Sequence, residues 1–142
     1  MSRVRAFLTL STVPTSQDVG LLLLRLWLGV SMVTLHGLGK VERLQADSVQ
    51  FADPFGFGVG ASLTLATMAE AGASVLLALG LGTRWAALAL SVTMTTAFVF
   101  AHGMALSGER SGELPFVYAA GFVAVLVMGP GRYSVDARLP SA

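Results

Sequence analysis

Cysteine is absent from the 142 residues, which removes Cys-x-x-Cys redox chemistry, thiolate metal sites and Fe–S ligation. Charge is scarce: Asp, Glu, Lys and Arg make up 12% of the chain, against about 25% in an ordinary soluble domain. The formal net charge is +1 and no basic run occurs, so nothing can neutralise a phosphate backbone and nucleic acid is excluded as a partner. What is present instead is apolar: 54% hydrophobic residues, a mean hydropathy of +0.73 and 16 glycines. That combination fits a small membrane-embedded helical bundle, where glycine is commoner than in soluble helices.

A bilayer core about 30 Å thick needs ~20 mostly apolar residues as helix. Four windows qualify, at about residues 19–39, 59–81, 85–102 and 114–128, the last one short. They predict an all-α fold, a four-transmembrane-helix bundle within a single domain spanning 1–142. Pro115 suits the first turn of the fourth helix, where its missing N–H has no intrahelical partner to lose, and Gly129-Pro130-Gly131 stops that helix. An even number of spans puts both termini on one side. Arg3, Arg5, Arg84, Arg132 and Arg138 fall on that side, against Lys40, Arg43 and Arg110 mixed with Glu42, Asp47, Asp53, Glu109 and Glu113 on the other, which predicts cytoplasmic termini. The apolar run Ala6 to Leu10 is shorter than a signal h-region and reads as a cytoplasmic surface stretch. The loop from about Lys40 to Gly58 reads as a lid or a docking surface.

Two charges lie inside the apolar windows, Arg25 and Glu70. A mid-bilayer charge costs at least ~2.5 kcal/mol on insertion scales, so each marks a site or a paired structural element. Counted at 1.5 Å per residue, their depths differ by about 6 Å, within reach of an Arg side chain, and a buried Arg25–Glu70 pair is expected. Such a pair serves either helix register or proton chemistry. On a helical wheel Arg25, Gly29, Met32, His36 and Lys40 share one stripe, and Ser91, Thr95 and His102 share another. His36, Lys40, His102 and Glu113 are therefore expected to converge on one outer pocket, with Tyr118 and Trp27 lining a groove beside it. Such a pocket suits a quinone headgroup, whose carbonyls need donors at interface depth and whose tail needs an apolar groove. His36 and His102 also offer a route to a metal or haem, without any tight ligand spacing to support it. Interfacial His, Lys and Glu that only cap helix ends are the plainer alternative.

Taken in order, Leu24-Arg25-Leu26, His36-Gly37-Leu38-Gly39-Lys40, Glu70 between small residues, Gly80-Leu81-Gly82-Thr83-Arg84, His102, Gly112-Glu113 and Gly129-Pro130-Gly131-Arg132-Tyr133-Ser134-Val135-Asp136 resemble the DoxX family of small four-helix membrane proteins. The resemblance runs from Leu21 to Leu139. It implies a multi-pass protein of a bacterial-type inner membrane, related to the membrane subunit of thiosulfate:quinone oxidoreductases and to MauE. It further implies redox-linked work beside the quinone pool, alongside a partner protein; independently of it, the Gly-rich faces at Gly56, Gly58 and Gly60 and at Gly80 and Gly82 suit packing against another subunit, in a complex or with a second copy. The alternatives the resemblance leaves are a non-catalytic scaffold that recruits an extracytoplasmic enzyme, and metal or haem handling. The closing GPGRYSVD reads as a structural cap in which Asp136 pairs with Arg132 or Arg84.

Overall fold

The computed structural model describes residues 16–46 and 49–140; Arg3, Arg5, the run Ala6 to Leu10 and Asp47 lie outside the described residues. Four helices follow one another, α1 (Gln17–Arg43), α2 (Val59–Leu79), α3 (Thr83–Ala101) and α4 (Glu113–Met128). A 3₁₀ turn at Asp136–Arg138 comes last. The first three are long and apolar enough to cross a membrane, and α4 is shorter. Each packs on its sequence neighbour and α4 closes back onto α1. The described chain ends meet at one end of the bundle, where the Arg132 N–H donates to Asp18 at 2.9 Å.

A single core runs between the helices. Leu28 and Met32 of α1, Leu77 of α2, Leu90 and Met94 of α3, and Tyr118, Phe122 and Val125 of α4 fill it. Leu23, Val30, Leu35, Leu65, Val92, Val117 and Val127 point outward and are exposed. A bundle with apolar side chains both inside and outside is built for lipid rather than water.

Small residues set how closely α1 and α2 approach. A methyl group added at Gly29 would sit 2.9 Å from the Ala78 Cβ, and one at Gly37 would sit 2.8 Å from the Glu70 carbonyl oxygen. The two backbones therefore touch, as in other small-residue membrane interfaces. Gly37→Val should push the pair apart and cost about 1–3 kcal/mol by overpacking. A thermal melt in detergent checks this, with Gly39→Val as the control, because Gly39 faces open space.

Each of the first three helices widens into a π-turn, at Val33–Gly37, Met68–Ala73 and Ala97–Ala101. All three lie toward the end of the bundle opposite the chain ends. A π-turn inserts one extra residue into the helical ring and frequently accompanies a functional site. At the other end, Gly80 and Gly82 adopt left-handed backbone and turn α2 into α3, so α2 stops at Leu79 rather than continuing to Leu81.

The expected Arg25–Glu70 pair does not form. Arg25 is completely buried, and its guanidinium donates to the Leu77 carbonyl at 3.4 Å and the Tyr133 carbonyl at 2.6 Å. The reason is register: α1 begins further out than α2 ends, so Gly37, not Arg25, lies level with Glu70. Twelve residues of helix separate the two levels, about 18 Å at 1.5 Å per residue. Asp136 likewise pairs with neither Arg132 nor Arg84. It accepts from the Gly82 and Thr83 N–H groups at 2.7 and 2.8 Å and so caps the start of α3. Burial alone would raise the Asp136 carboxyl, but the nearby Thr83, through its N–H, the Gly82 N–H and the charge of Arg25 outweigh it and hold the group low.

Candidate functional site

The second intramembrane charge, Glu70, has a different partner from the expected one. Lys40 Nζ meets Glu70 Oε2 at 2.5 Å, with the Glu70 side chain 6% exposed and that of Lys40 17%. Glu70 projects from the π-turn of α2, and Lys40 stands one turn beyond the π-turn of α1. Two charges drawn out of water at this spacing strongly neutralise each other.

The pair lines a cavity of about 380 Å³, within the ~300–1,000 Å³ range of small-molecule sites. Its walls follow helical periodicity. Ser62, Leu65, Ala66 and Glu70 come from one face of α2; Val92, Thr93, Thr96, Ala97, Phe100 and Ala101 come from one face of α3. Leu65, Val92 and Phe100 are also exposed on the outer surface, so the cavity opens sideways between α2 and α3, where the lipid tails of a bilayer would lie.

The loop before α2 covers the cavity. Phe51, Pro54, Phe55 and Phe57 line it, and Phe55 meets Phe100 edge to face at 5.7 Å. Asp53 fastens this cover: its carboxylate accepts from the Ser62 hydroxyl at 2.7 Å and from the N–H groups of Phe57 and Gly58 at 3.0 and 2.9 Å. The Ser62 hydroxyl, and after it the N–H groups of Gly58, Phe57 and Gly56, hold the Asp53 carboxyl below the usual carboxylate range. A carboxyl with a lowered folded value lends its hold in full above the unfolded value near ~3.9 and loses it as pH falls through the folded one. The cover should therefore loosen below about pH 4. Asp53→Asn should loosen it at neutral pH, read as faster amide hydrogen exchange across residues 55–59. Unchanged exchange there would contradict the latch.

His102 lines the same cavity. Its Nδ1 lies 3.1 Å from the Arg110 carbonyl oxygen. A carbonyl only accepts, so Nδ1 carries the proton and donates. The α3–α4 loop brings Arg110 back by a tight turn, and Gly112 packs so closely on the His102 Cβ that an added methyl would lie 2.8 Å from it.

The remaining expected residues lie elsewhere. His36 turns toward α4 and meets Tyr118 edge to face at 5.8 Å. The Tyr118 hydroxyl donates to Ser31 at 2.9 Å and its ring stacks on Phe122. His36 and Tyr118 thus form an inter-helix contact outside the cavity wall. Glu113 is exposed at the start of α4 and does not line the cavity. Thr95 is exposed, and the threonines that line the cavity are Thr93 and Thr96. Trp27 is 79% exposed and faces outward instead of lining a groove. The expected convergence therefore reduces to Lys40 and His102, with Glu70 added. Among the described residues no three His, Asp or Glu side chains gather as a metal-binding group.

A family model described as DoxX matches residues 20–103. That stretch contains Arg25, His36, Lys40, Glu70 and His102, and ends before Glu113 and the closing GPGRYSVD. No curated protein and no solved structure matches the chain.

Proposed function

The chain belongs to the DoxX family, and on that premise we propose that its lidded cavity binds the headgroup of a quinone-type lipophilic redox molecule and serves a redox-linked membrane complex. The observation that carries this reading is the cavity itself: a charged, hydrogen-bonding end at Lys40, Glu70 and His102, aromatic walls, and a side opening between exposed apolar helices. A ring with polar oxygens and a long apolar tail matches that distribution point for point. Lys40 offers N–H donors to a ring oxygen, Glu70 and His102 offer sites for protons, and the phenylalanines offer faces for the ring. When bound, such a molecule supplies the electron chemistry that the side chains of a cysteine-free protein lack. The electrons exchange with a partner protein or a second copy, a role suited to a subunit. In the sequence the two termini and the α2–α3 turn carry Arg3, Arg5, Arg84, Arg132 and Arg138, against Lys40, Arg43 and Arg110 on the cavity side. That bias supports cytoplasmic termini and a cavity on the outer side of a bacterial-type inner membrane.

The direct test is solvent extraction of the purified protein, followed by mass identification of lipophilic molecules and elemental analysis of the same sample. A quinone present in the wild type and reduced at least tenfold in Glu70→Gln is the expected result. A stoichiometric metal or a Soret band in place of a quinone would contradict the reading and move His36 and His102 to the role of ligands.

A further inference from the structure

The hydrogen bond between His102 and Arg110 fixes more than a loop. With Nδ1 committed as donor to a carbonyl, the neutral imidazole carries its free lone pair on Nε2, the other ring nitrogen of a side chain that lines the cavity. Among the polar groups at that end, Lys40 is the donor, while Glu70 and His102 Nε2 are acceptors. A ring that bears two carbonyl oxygens can satisfy Lys40 but presents a lone pair to His102. A ring that bears two hydroxyls satisfies both: one oxygen accepts from Lys40, and the other donates its O–H to Nε2.

We propose that the cavity selects the reduced, dihydroxy form of its ligand, with His102 Nε2 accepting the ligand O–H. This rests on the quinone-type reading above and adds the redox form the site prefers and the residue that sets the preference. Two acceptor lone pairs facing each other leave a polar group unpaired, and beside the apolar walls of Phe51, Phe55 and Phe57 that mismatch is expensive. One satisfied against one unsatisfied hydrogen bond corresponds to about a tenfold to hundredfold difference in affinity. The Arg110 carbonyl acts as a positioning group, because it holds the tautomer without touching the ligand.

The test uses the full chain in lipid nanodiscs, with decylubiquinone and its chemically reduced form compared anaerobically by equilibrium binding. The expected result is at least tenfold tighter binding of the reduced form, with the preference collapsing in His102→Phe while the oxidised form still binds. Nitrogen-15 NMR of the imidazole supplies a readout independent of any ligand: His102 should show a protonated Nδ1 and a bare Nε2. Equal affinity for the two forms in the wild type would overturn this inference and leave the quinone-type reading standing. Persistence of the preference in His102→Phe would overturn the role given to His102. Binding of neither form would overturn both readings.

Discussion

Arg25→Ala should leave little folded bundle. The side chain is completely buried and ties three parts of the fold together: α1, which bears it, the end of α2 through the Leu77 carbonyl, and the segment after α4 through the Tyr133 carbonyl. The left-handed turn at Gly80 closes directly over the guanidinium, with no room for a Cβ. Truncation would open a cavity and strand the Tyr133 carbonyl, while the Leu77 carbonyl would keep only the Gly80 N–H, a cost of about 3–5 kcal/mol. That is a large share of the ~5–15 kcal/mol that holds a typical domain together. Arg25→Lys should recover only part of it, since one ammonium on a different stem cannot repeat a planar fork. Tyr133→Ala is the control: its ring is exposed and only its backbone carbonyl is used, so the change should stay within about 0.5 kcal/mol. Thermal unfolding followed by size-exclusion fluorescence in detergent reads all three. An Arg25→Ala protein that melts like the wild type would show that the clamp holds nothing.

Lys40→Met should produce the second large effect, and its sign depends on Glu70. Removing one member of a buried ion pair typically costs about 3–5 kcal/mol because the remaining charge is left uncompensated. Replacing both members with uncharged groups removes that penalty. The double variant Lys40→Met, Glu70→Gln should therefore be more stable than Lys40→Met alone, a coupling that a double-mutant cycle measures directly. Ligand binding should follow a different pattern. If Lys40 and Glu70 serve the cavity, the double variant regains stability without regaining binding. Recovery of both together would mean that the pair acts on the fold alone.

Much of this arrangement was legible in the sequence. The helix windows fell within a few residues of α1 to α4, because runs of about 20 apolar residues leave few alternatives. The inward stripe of α1 was legible as far as Met32, since Arg25, Gly29 and Met32 follow regular α-helical spacing and all are buried. Beyond Met32 the spacing changes. The π-turn at Val33–Gly37 adds a residue to the ring, so His36 turns to Tyr118 on α4 while Lys40 turns to Glu70 on α2. A wheel at a constant angle merges these two directions into one. The relative heights of Arg25 and Glu70 were not legible either. They depend on where Gly29 and Gly37 let α2 seat against α1, a contact between segments far apart in the chain.

The aromatic cover was the least visible part of the site. Phe51, Phe55 and Phe57 belong to a loop without periodicity, and their common direction comes from the hydrogen bonds that Asp53 makes to Ser62, Phe57 and Gly58. The available signal was local: an Asp followed by Pro-Phe-Gly-Phe-Gly just before an apolar helix is a turn that can point aromatic side chains in one direction. His102 was identified by type, but its tautomer rests on the Arg110 carbonyl eight residues later, which only the folded loop brings back.

In the proposed function, the space between α2, α3 and the aromatic cover is the site for a quinone-type headgroup. A photoreactive azidoquinone, crosslinked to the protein in nanodiscs and mapped by peptide mass spectrometry, tests it most directly. The expected labelling falls within residues 51–57, 62–70 and 92–102, is displaced by excess unlabelled quinone and is lost in Lys40→Met, Glu70→Gln. Labelling spread over the outward-facing residues of all four helices, undiminished by competitor, would contradict it.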